Sequence, residues 1–467
     1  MSNETTEKTI MKPFSTMQLL NFCLGFFGLQ FAWQMRIILS GPVTEGLGAS
    51  PLIFGLIWLA GPVTGMLVQP IIGELSDKTH TIFGRRRPYL FAGAIFASLA
   101  LWAFPNSAAI AEKLANFLHV PEPVFGGLII AAIMIWVIDA CVNAAQGPYR
   151  ALVPDLVPQE QHSLANAYLS FAIGLGSVVA AGTAPFLKYI FNYQMSINAQ
   201  FVMAALAFSL AMLWTCITIN ENRNNKQAVR ETKVEEIKEE QPSFFKKIAD
   251  FFKSSPEVRK ICIVQLFTWI GIMSLNIFFT QYATHTVFGV PDLTTASEDI
   301  KNSYIDTISK ATNFSSICFA IQNLICFLVS IPIGLLSTKL GNKKVHAAAL
   351  ISLVVAFIGM ALSKNPAFIL ICMAVAGIGW ASILALPFAM LSEFIKKGSE
   401  GSVMGIFNIF IAGPQVLVCT LLAWVISKCT YEMPENMLNY HWEYAFLIGA
   451  LSLAIAAVIT YMIKESK

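Results

Sequence analysis

One stretch of this chain places an acid, two amides and a guanidinium in an otherwise apolar sequence. Asp139, Asn143, Gln146 and Arg150 follow the uninterrupted apolar run 129–138. In a helix their side chains would fall within about 60° of one another, over roughly 16 Å of rise. A carboxyl group removed from water favours its protonated form, so Asp139 could take up and release a proton near neutral pH. A stripe of this kind would be unstable against lipid, and we expect it to face a water-accessible interior.

The composition indicates that the elements positioning this stripe lie in a membrane. The 467 residues are 56% hydrophobic and 13% charged, whereas soluble domains carry about 25% charged residues. Many apolar runs are about 20 residues long, enough to cross ~30 Å of hydrocarbon. These values exclude a soluble enzyme and a nucleic-acid binder as whole-chain interpretations, and the net charge of +3 indicates no polyanionic partner. Nine cysteines without a CxxC pair indicate neither a disulfide framework nor a metal site.

The sequence predicts an all-α polytopic membrane protein with twelve transmembrane helices, six on each side of a charged segment. The first six spans are predicted at 17–43, 51–75, 89–105, 125–150, 163–190 and 197–219, and the second six at 260–288, 314–336, 345–363, 367–394, 402–427 and 442–463. The corresponding domains are an N-terminal tail (1–16), a six-helix bundle (17–220), a linker (221–257), a second bundle (258–463) and a C-terminal tail (464–467).

The distribution of Lys and Arg predicts the orientation. With the N-terminus inside, 23 basic residues outside the spans are cytoplasmic and six are external. This bias follows the positive-inside rule. We expect a multi-pass protein of the cell membrane with both termini in the cytoplasm.

The two halves repeat a loop pattern. Gly73-Glu-Leu-Ser-Asp77-Lys78 is followed by Phe83-Gly84-Arg85-Arg86-Arg87, and a similar run begins 261 residues later at Gly334. The glycine allows two helices to approach closely, and the charges can bridge neighbouring helix ends. We therefore expect conformational gating to involve six residues: Gly73, Asp77, Gly84, Arg85, Arg86 and Arg87.

This loop resembles the G-x-x-x-D-(R/K)-x-G-R-(R/K) pattern of the major facilitator superfamily, with extra residues between Lys78 and Gly84. The resemblance covers the whole chain. It implies two six-helix bundles that rock about a central cavity, as in alternating-access transporters generally.

Other polar residues at membrane depth are candidates for substrate binding, with Asp139, Asn143 and Gln146. They are Gln30, Trp33, Gln34 and Arg36 in the first span, Asn276 in the seventh, Asn323 in the eighth, and Asn408 and Gln415 in the eleventh. Arg36 has three open roles: a substrate contact, the counter-ion of Asp139, or a side chain reaching the outer interface. Any single amide could instead only bond a neighbouring helix.

A closer resemblance is to the sucrose/proton symporters of plants and their animal and bacterial relatives. It rests on Leu29-Gln-Phe-Ala-Trp33, on the run from Asp139 to Arg150, and on Asn408 to Gln415. It implies that Asp139 carries the proton and binds sugar, that Arg150 is coupled to it, and that the cargo is sucrose, maltose or a related glucoside. Arg36 departs from the Gln usual in relatives, and the seventh helix lacks the aspartates typical of plant members.

The function predicted is proton-coupled symport of a sugar into the cytoplasm, by a monomer without cofactor, metal or enzymatic activity. In this interpretation Asp139→Asn abolishes concentrative uptake while the protein stays folded. One alternative is sodium-coupled glycoside uptake, for which the second span offers only Glu74. Another is a uniporter or exporter in which an arginine holds Asp139 permanently ionised. An intramembrane enzyme is disfavoured because the six histidines are scattered mostly in loops.

Overall fold

The computed structural model describes residues 13–119, 126–158, 161–219, 221, 256–294, 296–392, 394, 400–433 and 437–464. Of the predicted linker, only Glu221, Pro256 and Glu257 belong to these ranges. Most of the predicted N-terminal tail and all but Lys464 of the predicted C-terminal tail also lie outside the described residues.

Twelve membrane-capable helices are present in the described ranges. They are α1 (Thr16–Gly46), α2 (Pro51–Trp58 continuing as Ala60–Lys78), α3 (Arg87–Ala103 continuing through a 3₁₀ turn, Phe104–Asn106, into Ser107–Leu118), α4 (Gly126–Leu156), α5 (His162–Phe191) and α6 (Ile197–Thr218). The second six are α7 (Pro256–Gln281 with a π turn, Tyr282–Val287), α8 (Glu298–Leu340), α9 (Asn342–Leu362), α10 (Pro366–Ser392), α11 (Glu400–Leu417, a π turn Val418–Leu422, and Ala423–Lys428) and α12 (Tyr444–Tyr461). Strands β1 (Thr430–Met433) and β2 (Met437–Tyr440) pair antiparallel, with Thr430 opposite Tyr440.

Polar residues in the sequence set the helix starts. Ser15 accepts from the backbone N–H of Gln18, whose side chain accepts in turn from the Ser15 backbone N–H, and this capping box begins α1. Ser50 caps α2 ahead of Pro51, which occupies the first helical position. These local signals place the helix ends at the edges of the apolar runs.

The predicted fold class is confirmed, and three elements differ from the predicted bounds. Helix α8 begins at Glu298, sixteen residues before the predicted span, because its polar first turns lie outside the apolar run; Glu298 and Asp299 favour the helix N-terminus electrostatically. Helix α3 likewise runs on to Leu118. The β-hairpin was not predicted, since its two four-residue strands are too short to give a clear periodicity.

The helices pack as two six-helix bundles. In the first, α1 packs on α5 and α6, and α4 on α2 and α3; in the second, α12 packs on α7 and α9, and α10 on α8 and α9. The bundles meet where α5 packs on α8 and α2 on α11. Small residues allow close packing: a methyl group at Gly28 of α1 would lie 2.5 Å from the Ala207 carbonyl oxygen of α6.

The molecule has two ends, which we name by their features. The Arg86 side contains residues 79–86, 157, 158, 161 and 341, and the hairpin side contains residues 47–50, 192–196 and 288–294 together with the β-hairpin. Asp139 lies on α4 between the two sides.

Candidate functional site

An ion pair joins α1 to α4 in the middle of the first bundle. Arg36 Nη2 lies 2.6 Å from Asp139 Oδ2, and the two side chains are 1% and 0% exposed. The contact uses one atom of each group: within the described structure, Asp139 Oδ1 and Arg36 Nε and Nη1 have no hydrogen-bond partner. The pair therefore neutralises its charges but leaves donors and an acceptor available.

Two tryptophans enclose the Arg36 guanidinium. Its central carbon lies 4.2 Å from the ring centroid of Trp58 in α2 and 5.2 Å from that of Trp33 in α1. The electron-rich faces of the rings attract the cation and partly replace the water that it has lost. Gly61 of α2 leaves room beside the pair, because a methyl group there would lie 3.6 Å from Asp139 Oδ2 and 3.8 Å from the Trp33 ring.

The two amides of the α4 stripe bond to α2. Gln69 Nε2 donates to Asn143 Oδ1 (2.7 Å) and to Gln146 Oε1 (2.9 Å), while Asn143 Nδ2 donates to Thr64 Oγ1 and to the Asp139 carbonyl, both at 2.9 Å. Gln69 and Thr64 were absent from the predicted site. An amide at membrane depth is rare enough to be a signal, and Gln69 could have been found on that ground.

Arg150 does not meet Asp139 in this structure. Its guanidinium lies 5.5 Å from the ring centroid of Phe26 in α1, its side chain is exposed, and it follows Asp139 by about 16 Å of helix rise. The structure thus gives Asp139 the ion-pair partner Arg36, one of the three roles left open for that residue, and Arg150 is not the partner of this acid here.

The second bundle approaches this region through Asn323. Asn323 Nδ2 of α8 lies 3.4 Å from Gln34 Oε1 of α1, a hydrogen bond between the two bundles two residues from Arg36. The Gln34 Nε2 donor has no partner in the described part of the chain. On α7, Gln265 accepts a bond from Trp269 (2.8 Å), and its own Nε2 is likewise unpartnered there. Buried, unused amide donors are the groups that a hydroxylated ligand could engage.

The remaining predicted binding residues make contacts with groups other than the ion pair. Gln30 is half-buried, with its Cβ against α5 beside Gly176. Asn276 Nδ2 lies 3.9 Å from the sulfur of Met273 on its own helix. Gln415 donates to the Ile411 carbonyl one turn earlier (3.0 Å), and Asn408 is exposed. A role for these four residues in binding stays a prediction.

The candidate polar residues differ in how far they are buried. On the hairpin side of Asp139, the buried polar side chains of α1 and α7 include Ser40, Thr44, Thr280, Gln281 and Thr284. Towards the Arg86 side, Gln69 and Gln146 are half-buried, and Arg150 and Asn408 are exposed. Exposed polar groups at membrane depth are stable only where they meet water. The exposed members of the candidate set, Arg150 and Asn408, therefore lie towards the Arg86 side, where Asn143 and Gln265 remain buried.

Contacts between the bundles close the hairpin side. A methyl group at Gly41 of α1 would strike the side-chain amide of Gln281 in α7, and one at Gly55 of α2 would strike the Cys419 carbonyl oxygen of α11. Glu45 Oε2 lies 3.2 Å from His285 Nε2. The bundles are thus in close contact on this side, at Gly41, at Gly55 and through the Glu45–His285 pair.

The predicted gating residues form a charge cluster within the first bundle. Arg86 lies 2.5 Å from Asp77 and 3.0 Å from Asp155 of α4, and Arg85 lies 3.0 Å from the same Asp155 oxygen. Arg86 also donates to Ser76 Oγ. This cluster ties the ends of α2 and α4 to the start of α3.

Glu221, which was not predicted, completes the cluster. Its carboxylate accepts bonds from the backbone N–H groups of Arg85, Arg86 and Arg87 (2.6, 2.9 and 2.7 Å) at the start of α3. Gly84 adopts φ +109°, and any side chain there would strike this carboxylate. Gly73 differs from expectation: no described atom lies within 4 Å of where its Cβ would be, so the close helix approach predicted there is absent.

The chemistry available at the centre is binding and proton exchange. Among the residues that the structure describes, no group of three or more His, Cys, Asp or Glu side chains could hold a metal ion. The ion pair and the unused amides can exchange hydrogen bonds with a neutral polyhydroxyl compound, and the adjacent tryptophans offer flat apolar faces.

Comparison with known proteins agrees with the fold and the motifs. The model of the family described as MFS/sugar transport protein matches residues 27–297, more than half of the chain, and that of the Major Facilitator Superfamily matches residues 293–467. The rice sucrose transport protein SUT2 (Oryza sativa subsp. indica) is 27% identical over 425 residues, covering 84% of this chain and 83% of its own. The general alpha-glucoside permease of Schizosaccharomyces pombe is 23% identical over 527 residues, covering 95% and 92%.

Solved structures show the same fold. A point mutant of the nucleoside transporter NupG superposes with a TM-score of 0.67 at 13% identity, covering 96% of this chain and 99% of its own. A D-xylose-proton symporter gives a TM-score of 0.64 at 14% identity, covering 96% and 98%. The relatives named here are transporters and not enzymes, as the sequence predicts. By its family-model match, its motifs and its twelve-helix fold, this chain belongs to the MFS/sugar transport protein family of the major facilitator superfamily.

Proposed function

We propose that this protein is a secondary active transporter that imports a sugar of the sucrose, maltose or related glucoside class together with a proton, by alternating access. The observation that carries the proposal is the Arg36–Asp139 pair: buried, neutral overall, beside the bundle interface, and with Asp139 Oδ1 and two guanidinium nitrogens unused. The relatives support the cargo class, since they include a sucrose transport protein and an alpha-glucoside permease.

A sugar fits the unused groups because each hydroxyl can donate and accept at once. One hydroxyl can donate to Asp139 Oδ1 and accept from Arg36 Nη1, while others accept from Gln34 Nε2 or Gln265 Nε2. A pyranose ring can stack on Trp33, which is only half-buried. Binding in this way would satisfy polar atoms that are otherwise buried without partners, a condition that costs about 1–3 kcal/mol for each group.

The ion pair also restricts when a proton can bind. Protonating Asp139 in the closed, dry site would leave the Arg36 charge buried and uncompensated, which costs about 3–5 kcal/mol. Water or sugar hydroxyls must therefore solvate Arg36 before the carboxyl group takes up a proton. Proton exchange is then confined to states in which one side of the cavity is open or a sugar is bound, as coupled transport requires.

We assign the Arg86 side to the cytoplasm, because the basic residues concentrate there. With this assignment both termini are cytoplasmic, and the present structure is closed on the outside and accessible from the cytoplasm. The transporter acts as a monomer in the bilayer. The experiment for orientation is a protease site placed in the hairpin loop, which in intact cells should be cut from outside; cleavage only after lysis would reverse the assignment.

One alternative is favoured by the same ion pair. If Arg36 holds Asp139 ionised throughout the cycle, the protein is a uniporter or exporter without proton coupling. The sodium-coupled alternative has less support, because Glu74 is 69% exposed and bonds Lys78 (2.5 Å) at the end of α2. The carboxylate at the centre, Asp139, is already neutralised by Arg36.

Uptake into proteoliposomes tests the proposal. Labelled sucrose and maltose are supplied with an inward proton gradient, with an inward sodium gradient, or with neither. We expect accumulation above the external concentration only with the proton gradient, and its loss when a protonophore is added. Equilibration without accumulation would establish the uniporter, and accumulation with sodium alone would establish the sodium symporter.

A further inference from the structure

A second pair of titratable groups lies where the bundles close on the hairpin side, well away from Asp139. His285, in the π turn that ends α7, faces Glu45 at the end of α1. The side chains are 8% and 23% exposed, and their nearest atoms, Nε2 and Oε2, are 3.2 Å apart. One residue comes from each bundle, so the contact exists only when this side is closed.

The hydrogen bonds fix where the protons must be. His285 Nδ1 lies 2.8 Å from the Val290 carbonyl oxygen, and a carbonyl oxygen only accepts, so Nδ1 carries a hydrogen. In a neutral imidazole the other nitrogen, Nε2, is then an acceptor. A carboxylate oxygen is also an acceptor, and the 3.2 Å contact requires one further proton, either on Nε2 or on Glu45.

The surroundings hold the imidazole in this arrangement. The Trp442 ring stacks on it at 5.5 Å with an interplanar angle of 14°. Asn439 Nδ2 donates to the carbonyls of His285 (3.3 Å) and Val290 (3.2 Å). Turning the ring to offer Nδ1 to Glu45 would break the hydrogen bond between Nδ1 and the Val290 carbonyl.

The other charged groups nearby also favour a proton on this pair. Asp292, which follows the π turn, acts electrostatically on the imidazole. Glu443, which precedes α12, accepts from Thr286 Oγ1 at 3.5 Å and is itself 2.7 Å from His441 Nδ1. The two carboxylates that act on His285 are thus those of Glu45 and Asp292, while Glu443 pairs with His441.

We propose that the Glu45–His285 pair is a proton-binding site whose occupation closes the hairpin side. When the bundles separate there, water solvates both groups, and an imidazole in water loses its proton near pH 6.5 while a carboxylate stays ionised. Closing then takes up one proton from the solution on the hairpin side. The closed state is favoured at low pH and is lost as the pH rises, with a slope of at most about tenfold in the closed-to-open ratio per pH unit.

The test measures this equilibrium rather than transport, so its result is independent of cargo and of coupling at Asp139. Spin labels on non-canonical amino acids replace the exposed Lys113 (first bundle) and Lys364 (second bundle), which leaves the nine cysteines in place. Electron–electron distance distributions in nanodiscs are recorded from pH 5 to pH 9. The same series in the Arg36→Gln/Asp139→Asn double variant removes any contribution of the central acid.

We expect the closed fraction to fall with rising pH in the wild-type protein and in the double variant. Glu45→Gln and His285→Gln should each stay closed at every pH, because an amide donates to the neutral imidazole, or to the carboxylate, without an added proton. The matched control is His441→Gln, which removes the titratable imidazole from an imidazole–carboxylate contact inside one bundle and should keep the pH response. A pH response unchanged in both Gln variants, or absent from the wild-type protein, would overturn the proposal.

Discussion

Replacing the Arg36–Asp139 pair by neutral amides tests the central part of the mechanism. Asp139→Asn leaves a guanidinium that is 1% exposed without its counter-ion, and Arg36→Gln leaves a carboxylate that is 0% exposed. Breaking a buried ion pair on one side costs about 3–5 kcal/mol, whereas replacing both members is close to neutral. We expect each single variant to lose about 3 kcal/mol or more and the double variant to recover most of that loss.

The assay is a double-mutant cycle on unfolding in detergent, followed by tryptophan fluorescence. The magnitude of the coupling energy between the two sites should therefore exceed about 3 kcal/mol. The matched control is Glu298 with Lys301, an exposed pair at 2.9 Å on α8, for which the same cycle should give less than about 1 kcal/mol. The folded double variant should also show no concentrative sugar uptake, because the carboxyl group is gone.

Additive losses at Arg36 and Asp139 would refute this reasoning, since independent sites do not form a buried ion pair. Concentrative uptake by the double variant would refute the assignment of proton coupling to Asp139. The cycle also refines the prediction from sequence that the Asp139→Asn variant stays folded. The unpaired Arg36 guanidinium lowers the free energy of unfolding of that variant, which the sequence did not show. The double variant separates this loss of stability from the loss of proton coupling.

Three further predictions concern gating and binding. Gly55→Val should reduce uptake into proteoliposomes at least tenfold, because the added side chain meets the backbone of α11 at Cys419. The control is Gly46→Ala, which should transport normally because no described atom lies within 4 Å of its Cβ position. Equal uptake rates for the two variants would contradict the closure described for the hairpin side. Glu221→Ala should lower the free energy of unfolding by about 1–2 kcal/mol, and with it the melting temperature in detergent, because three backbone donors at the start of α3 lose their acceptor. An unchanged melting curve would show that this contact does not stabilise the protein. Gln69→Leu should weaken sugar binding in equilibrium titrations about tenfold, since its amide orients Asn143 and Gln146; unchanged affinity would place that cluster outside the binding site.

The twelve spans and the candidate acid could be read from the sequence. Hydrocarbon requires about 20 apolar residues per crossing, and this requirement shows directly in the composition of each run. An acid at membrane depth is costly, so Asp139 is conspicuous without any knowledge of its neighbours. The predicted pattern at Arg85, Arg86 and Asp77 likewise forms one cluster, because its members are close along the chain.

Contacts between distant helices could not be read in this way. Helical periodicity placed Arg150 on the same stripe as Asp139 but did not show which side chain reaches the carboxylate. The side chain that does so is Arg36 of α1, 103 residues from Asp139 in sequence, and its position depends on how α1 packs against α4. The Glu221 cap and the Glu45–His285 contact, 136 and 240 residues apart, depend on the same packing. Which segments leave water can be inferred from the chain alone, because that depends on one segment and its solvent. Which charges meet requires the folded structure, because pairing depends on two segments and the space between them.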